Sequence, residues 1–515
     1  MVRKHKLLVL FLIIILGFVI RLSFFIGNSF PLHDGGFFYV MIQDLISNHF
    51  ILPAYSSYNH ANIPFIYPPL GLYIVGLTEK LTGIDRLQLF RLFPLVISTL
   101  TIPVFWGLAK EILKDDWKSL AATAFYSILP TGYSWLILGG GVTRSFGALF
   151  GILALTWAIR SLNNGGMNSS IFGSIFCGLT VLSHPEWAWF IFYTIGLYAI
   201  LSIINKNQRI IRRSIIIILG TSMIIVSWVV TILTKHEMSI LMPLLDSGFS
   251  RWSDIYRLIL LQWTEEKLVP IITLISIVGI ISMVNRKNWF LAILLALTFV
   301  LQGRAADQKA VVPIALLAGE GIVSFIQFIY PRLQSIVRPK RNSIIGFGII
   351  VYFLVYILSS TIISVSDFVK PLHEQQITSI NWISQEIPQN SRILVISGED
   401  WVQDNYSEWM SALTNQESIS LILGYEWLPG FTERISLYDQ IQREYFKGTK
   451  NLISWLNKNN IYPDYLILLK SEKNNHISET SDIHLEWENA LYYPGIIEVF
   501  KNRSVLILDI RAVVK

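Results

Sequence analysis

One aspartate stands out because of its position in the sequence. Asp34 lies in residues 31–39, directly after the first strongly apolar stretch, and two glycines follow it. A carboxylate where a first transmembrane helix leaves the bilayer must be solvated by water or by a cation, and glycines let a ligand approach the backbone closely. A partly desolvated carboxylate at a membrane surface can take a proton as a general base. Asp34 is therefore the first candidate for catalysis, although aspartate is also a favoured helix N-cap.

Basic residues in later polar loops form a second group of candidates. Arg144, Arg304 and Lys309 each lie between apolar runs. Guanidinium and ammonium groups form charge-assisted hydrogen bonds with phosphate, so these residues can hold an anionic ligand. The alternative is that they are interfacial anchors whose charged ends reach water. The glycines at 139–141 favour a tight loop, with a phosphate-binding nest as the alternative.

A third group lies in the short loop at 183–187. His184 and Glu186 could ligate a metal, and His33 beside Asp34 is a weaker signal of the same kind. Alternatively, Pro185 opens the next helix and its dipole favours Glu186. Tryptophans such as Trp187 can stack on a sugar, but they also form the aromatic belt of membrane proteins. Trp252 and Trp263 carry the same two interpretations.

The composition indicates a membrane protein. The chain is 53% hydrophobic and 15% charged, unlike soluble domains. The single cysteine, Cys177, excludes an intramolecular disulfide. The sequence has no Walker loop and no GxGxxG motif, so a soluble nucleotide is not the expected donor, and no nucleic-acid partner is expected.

Apolar runs long enough to cross a bilayer predict about eleven membrane spans. We expect the first to be retained, because no small-residue cleavage site follows it. Segment 68–79 is too short to span and is predicted to be a juxtamembrane or re-entrant helix. The predicted spans lie near 7–27, 88–109, 119–135, 145–161, 170–183, 187–205, 211–234, 268–284, 289–302, 308–330 and 343–365.

Charge orients these spans. With a cytoplasmic N-terminus, most lysines and arginines of the short loops fall inside, which agrees with the positive-inside rule. The extracytoplasmic side then holds a long first loop at about 28–87, a long loop at about 235–267, and the candidate residues described above. Any chemistry is therefore predicted to face outwards.

The composition becomes polar after residue 366. Four short apolar runs, at 392–397, 418–423, 465–469 and 504–508, predict strands, and 375–386 and 437–457 predict helices. We therefore expect a membrane domain at 1–366 and a small soluble α/β domain at 367–515. An odd number of spans makes this second domain extracytoplasmic.

The order of these features resembles a known family. An acidic residue in a long first loop (Asp34), the turn Tyr67-Pro68-Pro69-Leu70 and Arg91-Leu92 at the next span are similar to the membrane-embedded C-type (GT-C) glycosyltransferases. The similarity covers about 7–330 and is strongest to the protein mannosyltransferase and aminoarabinose transferase branch. It implies a mainly α-helical GT-C bundle that transfers one sugar from a polyprenyl-phosphate carrier.

The resemblance also implies roles for individual residues. Asp34 matches the essential acidic residue, but Gly35 replaces a second carboxylate of many relatives, and Tyr67 stands where relatives often have lysine. Arg144, Arg304 and Lys309 are predicted to hold the donor phosphate, and the arginines to approach Asp34. The predicted substrate contacts are His33, Tyr39, Tyr67, Glu186 and Trp187. No metal is expected to be required; if one binds, its predicted ligands are His184, Glu186 and Asp34.

The resulting prediction is a glycosyltransferase of a prokaryotic plasma membrane, active on the outer face, with membrane lipids as its environment. The acceptor, whether protein, lipid or cell-envelope glycan, stays open. Two alternatives remain: a metal-dependent enzyme like an oligosaccharyltransferase, although no Asp-x-Asp occurs in the second outer loop, and a non-catalytic lipid transporter or lipid-binding protein.

Overall fold

The chain folds mainly into long helices. A computed structural model describes residues 2–163, 165–204, 209–237, 252–265, 270–302, 306–336, 339–470, 487 and 490–514. Up to residue 369 its helices are α1 Val2–Ser23, α2 Gly36–Ser47, α3 Leu70–Thr82, α4 Arg86–Leu113, α5 Asp116–Ile128, α6 Pro130–Ile137, α7 Gly141–Leu162, α8 Met167–Val181, α9 Pro185–Ile204, α10 Arg209–Lys235, α11 Trp252–Ile259, α12 Ile271–Asn285, α13 Phe290–Leu301, α14 Ala306–Ile336 and α15 Pro339–Phe368.

The chain is a multi-pass membrane protein. Within the described residues, six helices are long and apolar enough to cross a membrane, namely α1, α4, α7, α9, α10 and α14. The other predicted spans also coincide with helices, but α8, α12 and α13 and the apolar part of α15 are shorter. Segment 68–79, predicted to be a short helix, forms α3.

One predicted span is interrupted. The sequence predicted a continuous span at 119–135, but α5 ends at Ile128 and α6 begins at Pro130. Leu129 between them is extended, with φ −71° and ψ 113°. A proline disfavours helical backbone in the residue before it and cannot donate a backbone hydrogen bond, so the helix breaks there.

Small residues let the helices of this region approach closely. A Cβ at Gly279 of α12 would lie 2.0 Å from the carbonyl oxygen of Leu317 in α14. A Cβ at Gly321 of α14 would lie 2.0 Å from the carbonyl oxygen of Ile275. Close backbone contact at glycine is a recurring way to pack membrane helices, where the hydrophobic effect does not drive association.

Two buried cations also join helices. The Arg21 guanidinium donates to the carbonyl oxygens of Gly17, at 2.9 Å, and Ser127, at 3.1 Å. Lys118 of α5 donates to the Glu320 carboxylate of α14 at 2.9 Å. Isolated charges are costly in a membrane, and each of these is held by protein oxygen atoms.

The C-terminal region is an α/β domain, as predicted. Its helices are α16 Glu374–Glu386, α17 Asn405–Thr414, α18 Phe431–Phe446 and α19 Thr449–Lys458. A hairpin in the first loop contains β1 Tyr55–Ser56 and β2 Ile63–Pro64, and the C-terminal strands are β3 Arg392–Ile396, β4 Glu417–Ser418, β5 Tyr465–Leu469, β6 Ile497–Lys501 and β7 Val505–Asp509.

The five C-terminal strands form one mixed sheet with the order β4-β3-β5-β7-β6. The first three strands are parallel, and β7 and β6 continue the sheet antiparallel. Leu394, Leu466 and Leu506 of three neighbouring strands pack in one core with Ile441 of α18 and Leu452 of α19. This alternation of buried strands and amphipathic helices is what the apolar runs predicted.

Three details differ from the prediction. The strand expected at 418–423 ends at Ser418. The helix expected at 437–457 is two helices, because Gly448 between them has φ 112°, a value that L-residues rarely adopt. Strand β6 was not predicted; its burial does not alternate, so it lacks the period-two pattern of a half-buried strand.

The chain forms two compact units that are not continuous in sequence. The first contains the described residues of Met1–Ser29, Tyr67–Thr234 and Leu245–Val369. The second contains those of Phe30–Ile66, Lys235–Leu244 and Lys370–Lys515. Most of the first loop, including Asp34 and α2, therefore belongs to the same unit as the C-terminal sheet.

Candidate active site

Asp34 lies in a tight turn at the start of α2. Its neighbours His33 and Gly35 both have positive φ, 58° and 130°. Positive φ is uncommon for a residue other than glycine, so the turn is held in a specific conformation. Gly35 occupies the N-cap position of α2, one residue after Asp34. The Asp34 side chain is half-buried.

The carboxylate at the N-terminus of α2 comes from a distant part of the chain. The backbone N–H groups of Gly35 and Phe37 both donate to Glu408 Oε1, each at 3.1 Å. Backbone N–H groups at a helix start lack helical partners and favour a negative charge. Glu408, on α17, thus accepts hydrogen bonds from N–H groups at the start of α2, the helix that Asp34 could have capped according to the sequence.

The neighbouring residue of α17 holds the other side of the turn. Trp409 Nε1 donates to the carbonyl oxygen of His33 at 2.8 Å. The Trp409 ring also lies edge-on to Phe30 and Tyr39, with ring centroids 4.9 and 5.9 Å apart. Tyr39, a predicted substrate contact, therefore packs against α17. His33 is buried as well.

The glycines after Asp34 have structural roles. A Cβ at Gly36 would lie 2.9 Å from both Cγ and the carbonyl oxygen of Glu408 and 3.1 Å from Cβ of Ala412. Gly35 supplies the positive φ. We interpreted these glycines from the sequence as room for a ligand; at Gly36 the approaching group is α17 instead.

Several predicted residues of the first unit lie together. The hydroxyls of Tyr67 and Thr143 share a hydrogen bond of 3.2 Å, and the ring of Tyr67 lies edge-on to His184 with centroids 6.4 Å apart. The Leu70 N–H donates to the carbonyl oxygen of Leu182 at 2.8 Å, which joins the Tyr-Pro-Pro-Leu turn to the His184 loop.

The start of α9 packs against α7 and α14. A Cβ at Gly147 of α7 would lie 2.6 Å from Cβ of His184 and 3.2 Å from Trp187 Cδ1. Lys309 of α14 donates to Glu186 Oε2 at 3.1 Å, and its Nζ lies 5.2 Å from the centre of the Trp187 ring. Lys309 is buried, so Glu186 compensates its charge. From the sequence we expect Glu186 to hydrogen-bond the acceptor or to hold an arginine; the cation that it holds is Lys309.

The other predicted residues have different surroundings. Arg144, on the first turn of α7, lies with its guanidinium carbon 5.2 Å from the centre of the Trp135 ring. Trp263 is buried, and its Nε1 donates to the carbonyl oxygen of Leu258 at 3.0 Å. The N–H groups at 141–143 donate to backbone carbonyls, so they form a helix start rather than a phosphate nest. Arg304 and the Trp252 side chain lie outside the described residues.

The structure thus brings the predicted residues together in two groups. Tyr67, His184, Glu186, Trp187 and Lys309 belong to the first unit, and His33, Asp34 and Tyr39 to the second. The approach of Arg144 and Arg304 to Asp34 stays a prediction. Among the described residues, no group of three or more His, Cys, Asp or Glu could hold a metal ion.

Glu408 and Trp409 are the residues that sequence reasoning missed. Each contacts the Asp34 turn from more than 370 positions away. The available signal was local: Asp404 caps a helix whose buried face contains a glutamate, which globular proteins rarely bury without a partner.

Comparison with solved structures identifies the fold. ArnT from Cupriavidus metallidurans bound to undecaprenyl phosphate is 10% identical, with a TM-score of 0.54 over 96% of this chain and 97% of that chain. The arabinofuranosyltransferase AftD from Mycobacteria is 14% identical, with a TM-score of 0.57 over 97% of this chain and 39% of that chain. The chain has the GT-C fold.

A third GT-C structure agrees. The Archaeoglobus fulgidus oligosaccharyltransferase in complex with Zn and sulfate is 12% identical, with a TM-score of 0.52 over 89% of this chain and 68% of that chain. This chain spans about two fifths of the length of AftD. No protein-family model and no curated protein matches the sequence. The predicted GT-C fold is therefore confirmed by the similarity of the structures and not by any sequence match.

Proposed function

We propose that this protein transfers a monosaccharide from a polyprenyl-phosphate carrier to an acceptor on the outer face of a prokaryotic plasma membrane. The observation that carries the proposal is the Asp34 turn, a half-buried carboxylate held in a specific backbone conformation within a GT-C fold. The similarity to ArnT, which binds undecaprenyl phosphate, supports the choice of carrier.

Asp34 acts as the general base in this reaction. An acceptor hydroxyl or amine attacks the anomeric carbon of the donor sugar while the bond from that carbon to the phosphate oxygen breaks. The acceptor proton passes to an Asp34 carboxylate oxygen, and the polyprenyl phosphate leaves with the bonding electron pair. General-base assistance typically contributes about 10²- to 10⁴-fold to the rate.

The cations of the first unit contribute unequally to binding the phosphate. Glu186 already compensates the charge of Lys309, so this lysine adds little net positive potential. Arg144 makes a ring contact with Trp135 and can donate in a forked geometry that suits phosphate oxygens. Arg144 is therefore the principal phosphate-binding residue of the proposal, and Arg304 is a further candidate. Tyr67, His184 and Trp187 contribute contacts to the substrate.

The test separates chemistry from lipid binding. Asp34→Asn keeps the side chain size and removes the base, so we expect transfer to fall by at least about 10²-fold while binding of undecaprenyl phosphate is unchanged. Transfer is measured as loss of labelled sugar from the polyprenyl-phosphate pool of membranes that contain the protein, and binding by native mass spectrometry.

The matched control is Asp439→Asn, an exposed carboxylate on α18. It should leave both measurements unchanged. Full transfer by the Asp34 variant would contradict a catalytic role, and absence of undecaprenyl phosphate binding by the wild-type protein would contradict the carrier.

A metal-dependent reaction is the second candidate, favoured by the similarity to the Archaeoglobus fulgidus oligosaccharyltransferase complex with Zn. Glu186, one of the ligands predicted for that case, is engaged by Lys309. We expect transfer to continue after exhaustive chelation, because arginines and a base suffice for a monophosphate leaving group. Loss of transfer with chelator and its return with zinc or manganese would favour the metal-dependent alternative.

A further inference from the structure

Helix α17 contacts the Asp34 turn at three backbone groups. Glu408 Oε1 accepts from the N–H groups of Gly35 and Phe37, and Trp409 Nε1 donates to the carbonyl oxygen of His33. These groups belong to the residues on both sides of Asp34 in the sequence. We call Glu408 and Trp409 the α17 clamp.

A carboxylate is a costly choice at this position. Glu408 is 2% exposed, and removing an ionised carboxylate from water is expensive unless it is well paired. Burial, followed by the nearby Glu408 carboxylate, raises the pKa of Tyr58 well above its usual value. The cost of burying this charge is offset at the start of α2, where the backbone N–H groups of Gly35 and Phe37 both donate to Glu408 Oε1.

The clamp is itself held in place. Asp404 caps α17 by accepting from the N–H and the hydroxyl of Ser407, at 3.1 and 2.7 Å. At the other end of α17, Asn59 Oδ1 accepts from the Ser411 hydroxyl at 2.9 Å and from the Ser418 N–H at 2.7 Å. Helix α17 is therefore capped at its start and tied to the first loop near its end, with the two clamp residues between these contacts.

We propose that Glu408 and Trp409 are positioning residues for the transfer reaction and that the C-terminal domain fixes the backbone around Asp34. The inference rests on the proposed function, since it assigns Asp34 the role of base. Neither residue touches the substrate in this scheme. They act by holding one turn so that the Asp34 carboxylate meets the acceptor proton in one geometry, and misplacement of a reacting group by about 1 Å can cost about 10²-fold in rate.

The kinetic experiment uses the full chain in its membrane. Glu408→Leu removes both acceptor bonds, Glu408→Gln keeps one acceptor oxygen, and Trp409→Phe keeps an aromatic ring, although a smaller one, and removes the N–H donor. We expect kcat to fall by about 10²-fold in Glu408→Leu and by a smaller factor in Glu408→Gln and Trp409→Phe. The KM for the lipid donor should stay within about twofold of wild type, because the cations of the first unit are intact.

Matched controls come from the same unit. Glu433→Leu changes an exposed carboxylate of α18, and Trp455→Phe changes a partly buried tryptophan of the sheet core. Both should leave kcat unchanged. If a general loss of folding were the cause, Glu408→Gln would not restore part of the activity of Glu408→Leu, and KM and kcat would not separate.

A second measurement is independent of transfer. Amide hydrogen exchange at Gly35 and Phe37 should be faster in Glu408→Leu than in wild type, while exchange of the sheet core stays the same. Faster exchange with unchanged kcat in all three clamp variants would overturn the positioning role. A wild-type protein that moves no sugar from lipid would overturn the proposed function instead. Unchanged exchange would overturn the clamp itself, whatever the transfer assay shows.

Discussion

At the scale of single residues, the sequence predicted which side chain to examine but not why Gly36 must follow it so closely. Asp34 is recognisable from the sequence because a carboxylate directly after a first apolar helix is costly at a membrane and is therefore a candidate for function. The need for Gly36 became apparent only with α17, whose Glu408 leaves no space for a Cβ. Sequence spacing cannot reveal a contact between residues more than 370 positions apart, since nothing local encodes it.

The pair Glu186 and Lys309 illustrates the same limit. Each is a candidate because of its residue type and its loop, and the sequence suggests a metal, the acceptor or an arginine as the partner of Glu186. The ion pair at 3.1 Å, with Trp187 beside it, requires α9 and α14 to meet at their N-termini. Periodicity predicts where these helices run, whereas their packing decides which loop residues become neighbours.

Arg144 carries a prediction about phosphate binding. Arg144→Gln should weaken binding of undecaprenyl phosphate by about 1.5–3 kcal/mol, which is about tenfold to a hundredfold in Kd, because one charge-assisted contact is lost. The Kd of each protein is measured by titration with undecaprenyl phosphate, with the bound fraction read by native mass spectrometry.

The control for Arg144 lies on the same helix. Arg160→Gln removes a guanidinium that pairs with Glu111 at 2.6 Å near the other end of α7, and it should leave lipid affinity unchanged. Equal affinities for wild type and Arg144→Gln would remove this arginine from the phosphate site.

At the scale of elements, the boundaries of α17 explain how the turn around Asp34 is supported. The helix begins after Asp404, a buried carboxylate that accepts from Ser407, and ends at Thr414. The run at 418–423 is apolar and therefore predicts a strand, but this prediction is wrong because the chain leaves the sheet after Ser418. Apolar content alone does not distinguish a strand from a buried turn.

Asp404 leads to a prediction about pH. Burial raises the pKa of this carboxyl, against the hydrogen bonds from Ser407. Its folded-state pKa therefore exceeds the unfolded value, so its contribution to stability is present at low pH and is lost as pH rises through the folded pKa. Asp404→Asn keeps a good N-cap and abolishes the titration. The variant's apparent Tm relative to wild type should therefore increase as pH rises above about 4.

Asp509 provides a control of opposite sign. Its pKa is lowered by the hydrogen bond from Arg511. This contribution to stability is present above the unfolded pKa and is lost as pH falls, so Asp509→Asn should lose apparent Tm relative to wild type as pH rises. The Asp509 contribution changes below the unfolded pKa of about 3.9 and the Asp404 contribution changes above it, so thermal unfolding of the three proteins between about pH 2.5 and pH 7 measures both slopes. Parallel curves for Asp404→Asn and wild type would contradict the prediction.

At the scale of the whole molecule, composition and run length predicted a multi-pass helical bundle with a small α/β domain, and the structure has this fold. The sequence could not predict that the first loop shares a compact unit with the C-terminal sheet. A hydropathy profile separates polar from apolar segments, but it contains no information about which polar segments fold together.

The orientation of the membrane domain carries the last prediction. The charge distribution predicts a cytoplasmic N-terminus and an extracytoplasmic C-terminal domain. A suitable probe of the C-terminal domain is a cysteine in place of exposed Lys450 on α19. This cysteine should react with an impermeant thiol reagent in intact cells, and the native Cys177 is buried and should contribute little background.

A cysteine in place of Lys114 tests the opposite side. Lys114 is exposed between α4 and α5 and should react only after the cells are lysed. Labelling of the Lys450 position only after lysis would reverse the predicted orientation, and with it the side on which transfer occurs.

The discontinuous second unit has a consequence for the time course of synthesis. Phe30–Ile66 leaves the ribosome early, but Glu408 of α17 follows its partner Phe37 only 371 residues later. At about 5–20 residues per second, the segment with Asp34 waits about 19–75 s for the helix that fastens it. Nascent chains that stop before α17 therefore hold the bundle helices without a finished Asp34 turn, and the protein gains its proposed activity only when its last domain has been made.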